Sequence, residues 1–292
     1  MRDTKSERIF HFINTIFLTI VAFICLAPML YILAVSFSAN EAVTSGQVTF
    51  WPKEFTTIAY TYLMANKLFW YALLNSIKRI VLGVGLNILC TILVAYPLSK
   101  DSRKFKMRNL WAWFFFIPMI FSGGIIPWFI LIKELKLINS IWALVLPGAV
   151  SPFYIVVLLN FFRGIPAELE EAAIIDGCGY WRILFQIYLP LSLPAIATIA
   201  VFAILAHWNS WFDGLILMSE PKNYPLITYL QTAVININYE RLTEEEIRRL
   251  ALLGGSSYKA AQLFAGSLPV ILSYPFLQRY FIKGLTLGSI KG

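Results

Sequence analysis

Charge is scarce in this chain. Only 14% of its 292 residues are Asp, Glu, Lys or Arg, against roughly a quarter in soluble domains. The acids are fewer than the bases, 16 against 24. So little charge cannot clothe a water-soluble globule of this size. Histidine is scarcer still, with two residues, and cysteine numbers three. Cys25, Cys90 and Cys178 are too scattered for a metal site or a disulfide framework. They read as small apolar filler. Two histidines and no clustered carboxylates in the apolar runs leave little material for an intramembrane enzyme. A G-x-x-x-x-G-K-[ST] phosphate loop is absent, so nucleotide hydrolysis is not expected in this chain. The net charge of +8 does not imply nucleic acid, because the bases sit between apolar runs rather than along one face.

What is present is apolar: 59% of residues are hydrophobic and the mean hydropathy is +0.70. Several stretches exceed about 18 mostly apolar residues, enough to cross a bilayer. They lack the short alternating segments of a membrane barrel. The expected fold is all-α and polytopic, a single transmembrane domain over 1–292. Six spans are expected at about 11–35, 75–98, 109–132, 140–162, 188–216 and 262–282. The first apolar run is too long for a signal-peptide core and reads as a retained span. Basic residues set the orientation. Arg2, Lys5 and Arg8 precede the first span, and five bases against one acid fill "SKDSRKFKMR" at 99–108. Lys283 and Lys291 follow the last span. These segments fall on one side, which predicts N-in and C-in.

Residues 163–187 lie on the same side yet carry four acids against two bases. "RGIPAELEEAAIIDGCG" reads as a short helix. Pro166 suits its first position, and Glu168, Glu170 and Glu171 favour the positive end of its dipole. Gly177 and Gly179 stop it. Ala172 and Ala173 keep part of its surface small, so another surface can approach. On the far side, 217–261 is expected to be an external loop. Its "LTEEEIRRL" has a capping-box spacing from Thr243 to Glu246.

Prolines crowd the spans. "IPMIFSGGIIPW" (117–128) predicts a broken or bent third span. Ionisable residues inside spans are costly and mark function by default. Asp213 and His207 qualify. With Trp208, Asn209 and Trp211, Asp213 forms a candidate substrate group, since sugars are held by aromatic stacking and planar polar groups. The competing reading is that these side chains pack the span, and His207 reads as a packed histidine. Lys78 and Arg79 are expected to snorkel toward the surface.

The acidic segment also carries a resemblance. Glu171-Ala172-Ala173, then Gly177, then Ile187-Tyr188-Leu189-Pro190 resembles the EAA loop of ABC importer permeases, at the right spacing and between the fourth and fifth spans. Cys178 departs from the alanine usual after the glycine. "NSIKRIVLGVGLNILCTILVAYPLSK" (75–100) and "HWNSWFDGLILM" (207–218) are similar to further segments of that family. The ending "QRYFIKGLTLGSIKG" is similar to carbohydrate permeases of the maltose type, the shorter of two permease subunits. The branch that imports alginate and other complex oligosaccharides is the most similar. This resemblance implies that Glu168, Glu171, Ala172, Ala173, Asp176 and Gly177 form a coupling helix docking on a cytoplasmic ATPase. Lys291 and Gly292 would reach the same ATPase. It implies no cofactor in this chain, with ATP and Mg bound by two partner ATPase subunits. It further implies a second, different permease subunit, a periplasmic solute-binding protein, an oligosaccharide substrate and residence in the bacterial inner membrane. The alternative is an ion-coupled secondary transporter of a small polar solute, which would want an inverted repeat and buried carboxylates. No clear repeat is evident, and Asp213 is the only acidic residue well inside a span.

Overall fold

The computed structural model describes residues 5–235 and 255–289, with side chains over 7–232 and 255–272. Among the described residues the structure is helical, and one isolated bridge, Ser38 to Phe55, is the sole strand-like pairing. The chain divides into two compact units, Met1–Phe69 with Leu230–Ile271, and Trp70–Tyr229 with Leu272–Gly292.

In the first unit, α1 (Lys5–Ser36) is mainly apolar beyond its charged first turns. Its stretch Glu7–Ser36 is long enough to cross a membrane, and none of its most apolar window is covered by the rest of the chain. Such a surface needs lipid or a partner subunit. After α1 the chain turns through α2 (Asn40–Thr44) and α3 (Ile58–Ala65). Ser36 Oγ lies 2.8 Å from Tyr60 Oη, and Phe37 stacks on Phe55 and Tyr60. Ala34, Val35, Ala42, Val48 and Ala260 form a small core. Ala260 comes from α14 (Gly255–Ser289), which contains the expected span 262–282.

The second unit is organised by α4 (Lys67–Ser99), again long and apolar enough to cross. One face of α4 is small and polar: Ser76, Arg79, Asn87 and Thr91 are all buried, in line with Ala72, Ala95 and Leu98. Their spacing of three and four residues is a single helical stripe. The other helices of this unit are broken. The expected span 109–132 is α5 (Arg108–Phe116), a tight turn at Ile117–Met119, then α6 (Ile125–Glu134). Gly124, with φ of 81°, makes that break possible. The span 140–162 becomes α7 (Ile141–Val145) and α8 (Pro152–Arg163), bent by 47°. The span 188–216 begins earlier, as α10 (Tyr180–Leu191), turns by 77° at Ser192 into α11 (Leu193–Asn209), and breaks again before α12 (Phe212–Leu217). The expected external loop 217–261 is partly helical, with α13 at Leu226–Ile235. Its capping-box segment lies outside the described residues.

The stripe on α4 explains why the breaks are tolerated. Asn87 Nδ2 donates to the carbonyls of Gly148 and Ala149 at the α7–α8 bend, at 2.6 and 3.0 Å. Arg79 donates to the Ser210 carbonyl at the end of α11. Thr228 Oγ1 donates to the Trp211 carbonyl. Carbonyls freed in an apolar medium are thus re-satisfied from a neighbouring helix. Gly83 sits on the same stripe, and a Cβ there would overlap the His207 ring. Small size at this position lets α4 and α11 approach.

Candidate functional site

The acidic segment folds as α9 (Ala167–Ile175). Pro166 lies just before it with an extended ψ of 132°, rather than at the first helical position. Gly177 adopts φ of 77°. Its N–H donates to Ile174 O at 3.0 Å, and that of Cys178 to Ala173 O at 2.9 Å. This paired closure is a Schellman motif. The glycine therefore ends the helix rigidly.

The residue that holds α9 in place is Glu170. It is 5% exposed, whereas Glu168 and Glu171 on either side are exposed. Lys100 Nζ and Tyr188 Oη donate to Glu170 Oε2 at 2.8 and 2.6 Å, and Lys104 Nζ donates to Oε1 at 3.2 Å. The Lys100 ammonium also lies 4.0 Å above the Tyr96 ring and 3.9 Å from that of Tyr188. Burial alone would raise the Glu170 carboxyl. The bonds from Lys100 and Tyr188 outweigh it and hold the group at about 2. Tyr96, Phe162 and Tyr188 meet edge to face beneath this cluster, in a core shared by α4, α8, α10 and α11. Ala173 is buried in the same core. Its small size serves inward packing, while Ala172, Asp176 and Gly177 are exposed. Beside them Ile175 is 85% exposed.

A second polar group lies nearer the start of α4. Arg79, 3% exposed, is paired end-on with Asp213 through both terminal nitrogens. It does not snorkel, because Asp213 and the Ser210 carbonyl satisfy it in place. Asp213 also accepts from Ser210 Oγ and Gly214 N, each at 2.8 Å. His207 Nε2 lies 2.9 Å from Asn87 Oδ1. Since Asn87 Nδ2 is the donor to the α8 bend, its oxygen accepts and the imidazole donates. These groups border a cavity of about 440 Å³, together with Trp128, Tyr154 and Ser151. The cavity joins guanidinium, carboxylate, amide, imidazole and hydroxyl around one space. Arg79 Nε, buried, has no partner among the described residues.

Of the sequence-derived substrate group, Asp213 borders the cavity. Trp208 is buried, and Trp208, Asn209 and Trp211 do not line the cavity. Lys291 and Gly292 lie outside the described residues. Sequence reading passed over Glu170, Arg79 and Asn87 as site residues. The signal was there for the last two, as polar residues on one three-to-four spaced stripe of an apolar helix.

Comparison with known proteins agrees over the whole length. Protein LplC of Bacillus subtilis (strain 168) is 37% identical over all of this chain and 98% of its own. The polygalacturonan/rhamnogalacturonan transport system permease protein YtcP of the same organism is 36% identical over 98% of this chain and 100% of its own. A crystal structure of a bacterial ABC transporter involved in the import of the acidic polysaccharide alginate has a chain that superposes with a TM-score of 0.88. It is 31% identical and is matched over 96% of this chain and 99% of its own. Residues 1–287 match the sequence family described as binding-protein-dependent transport system inner membrane component. The chain belongs to that family: it is an ABC transporter permease, and the ATPase is a separate subunit.

Proposed function

We propose that this permease carries oligosaccharides, acidic ones among them, across the bacterial cytoplasmic membrane, and that α9 is its point of contact with the ATPase. Six spans with both termini inside place α9 and the basic 99–108 loop on the cytoplasmic side. One such subunit supplies half of a path. A second, different permease, two ATPase subunits holding ATP and Mg, and an external solute-binding protein complete the assembly. The single 1–292 transmembrane domain rocks between inward and outward access as the ATPases close.

The observation that carries this reading is the construction of α9. A helix can transmit displacement only if it does not yield. Here Glu170 is tied to the end of α4 by Lys100, and to α10 by Tyr188. The opposite surface, with Glu168, Glu171, Ala172, Asp176 and Gly177, remains exposed for a partner. Lys291 and Gly292 belong to the same proposed contact. The cavity beside Arg79 and Asp213 supports a polar substrate path in this subunit. The relatives support the sugar class, since they include the polygalacturonan/rhamnogalacturonan permease and an arabinooligosaccharides permease of Halalkalibacterium halodurans, 30% identical.

The test is ATPase activity of the co-purified complex in proteoliposomes, with loaded binding protein added. Wild type is expected to be stimulated, and Glu171→Lys with Gly177→Pro to assemble poorly or lose stimulation. If no ATPase co-purifies and the double variant transports normally, α9 is not the coupling element.

A further inference from the structure

A slot of about 390 Å³ opens at the C-terminal end of α4. Its walls are apolar: Leu93 and Pro97 of α4, Phe105 of the following loop, and Trp181 and Leu184 of α10. Lys104 and Lys100 also line it. We propose that this slot binds an anionic glycerophospholipid, with an acyl chain against the apolar walls and the phosphate on Lys104. The inference rests on α4 crossing the membrane and does not depend on what the chain transports.

Three observations converge. First, α4 is long and apolar enough to cross a bilayer and ends at Ser99; a helix that crosses so sets the slot at headgroup depth. Trp181, 64% exposed, and its neighbour Tyr180 are the residue types found at that depth. Second, the cations here are not used up. Lys100 is consumed by Glu170, but Lys104 gives it one bond and keeps a side chain 42% exposed. An ammonium has three donors, so two remain. Arg103 and Lys106 are exposed and have no ion-pair partner among the described residues. Asp101 is the one acid in the 99–108 segment. Third, the walls discriminate among anions. A soluble phosphate would use Lys104 and leave the apolar surface wet, whereas a lipid covers both. Basic pockets between spans recognise headgroups in this way. Because Lys104 also touches Glu170, an occupant would bear on the bracing of α9.

The experiment uses the co-purified complex in phosphatidylcholine nanodiscs doped with lipids carrying brominated acyl chains, which quench a tryptophan on contact. The Trp181 signal is taken as the difference between wild type and Trp181→Phe. Brominated phosphatidylglycerol is expected to quench it at several-fold lower mole fraction than brominated phosphatidylcholine. Lys104→Gln should reduce that preference about fivefold, the weight of one cation near a charged surface. If Lys104→Gln does not assemble, Leu93→Phe narrows the slot itself without touching Lys104 or Glu170, and should raise several-fold the mole fraction of brominated phosphatidylglycerol needed, removing the preference. Equal quenching by the two lipids, or a preference that survives these substitutions, overturns the proposal. Loss of the preference on adding inorganic phosphate would also overturn it, by assigning the cations to a soluble anion.

Discussion

Two buried ion pairs hang from the same helix, and they are built differently. At the end of α4, Lys100 and Glu170 are closed off. The carboxylate accepts three bonds, and the ammonium is packed between two tyrosine rings. Nearer its start, Arg79 and Asp213 border a cavity, and one buried guanidinium donor has no partner among the described residues. Along α4 they are roughly 30 Å apart at about 1.5 Å per residue, close to the thickness of a bilayer core. A fully satisfied pair has one stable arrangement and suits a brace. A pair with spare capacity beside open space can exchange partners and suits a pathway. The same chemistry thus suits a brace at one end of the helix and, on the proposed reading, recognition nearer the other.

The comparison breaks first at Glu170. Glu170→Ala leaves Lys100 buried and uncompensated, which costs about 3–5 kcal/mol in a buried pair. Thermal unfolding of the solubilised complex should show the loss. The double replacement Glu170→Leu with Lys100→Met should recover most of it, since both charges leave together. If the single substitution is as mild as one at exposed Glu168, Glu170 is no brace.

Gly83→Ala comes next. The added methyl would overlap the ring of His207, itself held by Asn87. Overpacking of this kind costs about 1–3 kcal/mol, read in the same unfolding measurement. His207→Ala should make room and suppress the defect. If it does not, the α4–α11 approach is not what the glycine serves.

How much of this could be read in the sequence differs between the same two regions. The acidic segment was legible because its signals are local: a glycine at the turn, acids in the first helical turn, alanines between. Which glutamate faces inward was not, because Glu168, Glu170 and Glu171 share one local chemistry. The choice is made by Lys100 and Tyr188, distant in sequence. The apolar runs likewise announced spans, and Gly123-Gly124 with its flanking prolines announced a break. The 77° turn at Ser192 did not announce itself, since "PLSLP" also reads as the start of a span. Arg79 was misread because a lone arginine near a span end ordinarily reaches water. Only the fold brings Asp213 to it.

Asp213→Asn sharpens the contrast from the other side. It removes a charge but keeps the shape, and cavity water can take up what Arg79 loses. Transport should fall about tenfold, the worth of roughly 1.4 kcal/mol. The melting temperature should move far less than in Glu170→Ala. Transport rates in proteoliposomes, set beside unfolding of the same preparation, decide the point. A stability loss equal to that of Glu170→Ala would make both pairs structural and erase the distinction.

The smallest expected effect is one of pH, and it isolates the brace. Glu170 is held at about 2 in the fold, against 4.5 when free. A carboxyl depressed in this way binds fewer protons folded than unfolded, so its contribution is complete above 4.5. It fades as the pH falls from there toward 2, when protonation removes the partner of Lys100. Around neutral pH the brace should therefore be indifferent to pH. Binding-protein-stimulated ATPase activity should keep the same pH profile near neutrality in wild type and in the Glu170→Leu, Lys100→Met pair, if that pair assembles. Unfolding of the two preparations should diverge only in acid, with wild type losing stability below 4.5 that the uncharged pair does not lose. Burial also lowers the Lys100 ammonium from its usual 10.5, despite its bond to Glu170, so a divergence already present near neutrality would mean that this lowering reaches the neutral range and that Lys100, rather than Glu170, is the group that titrates.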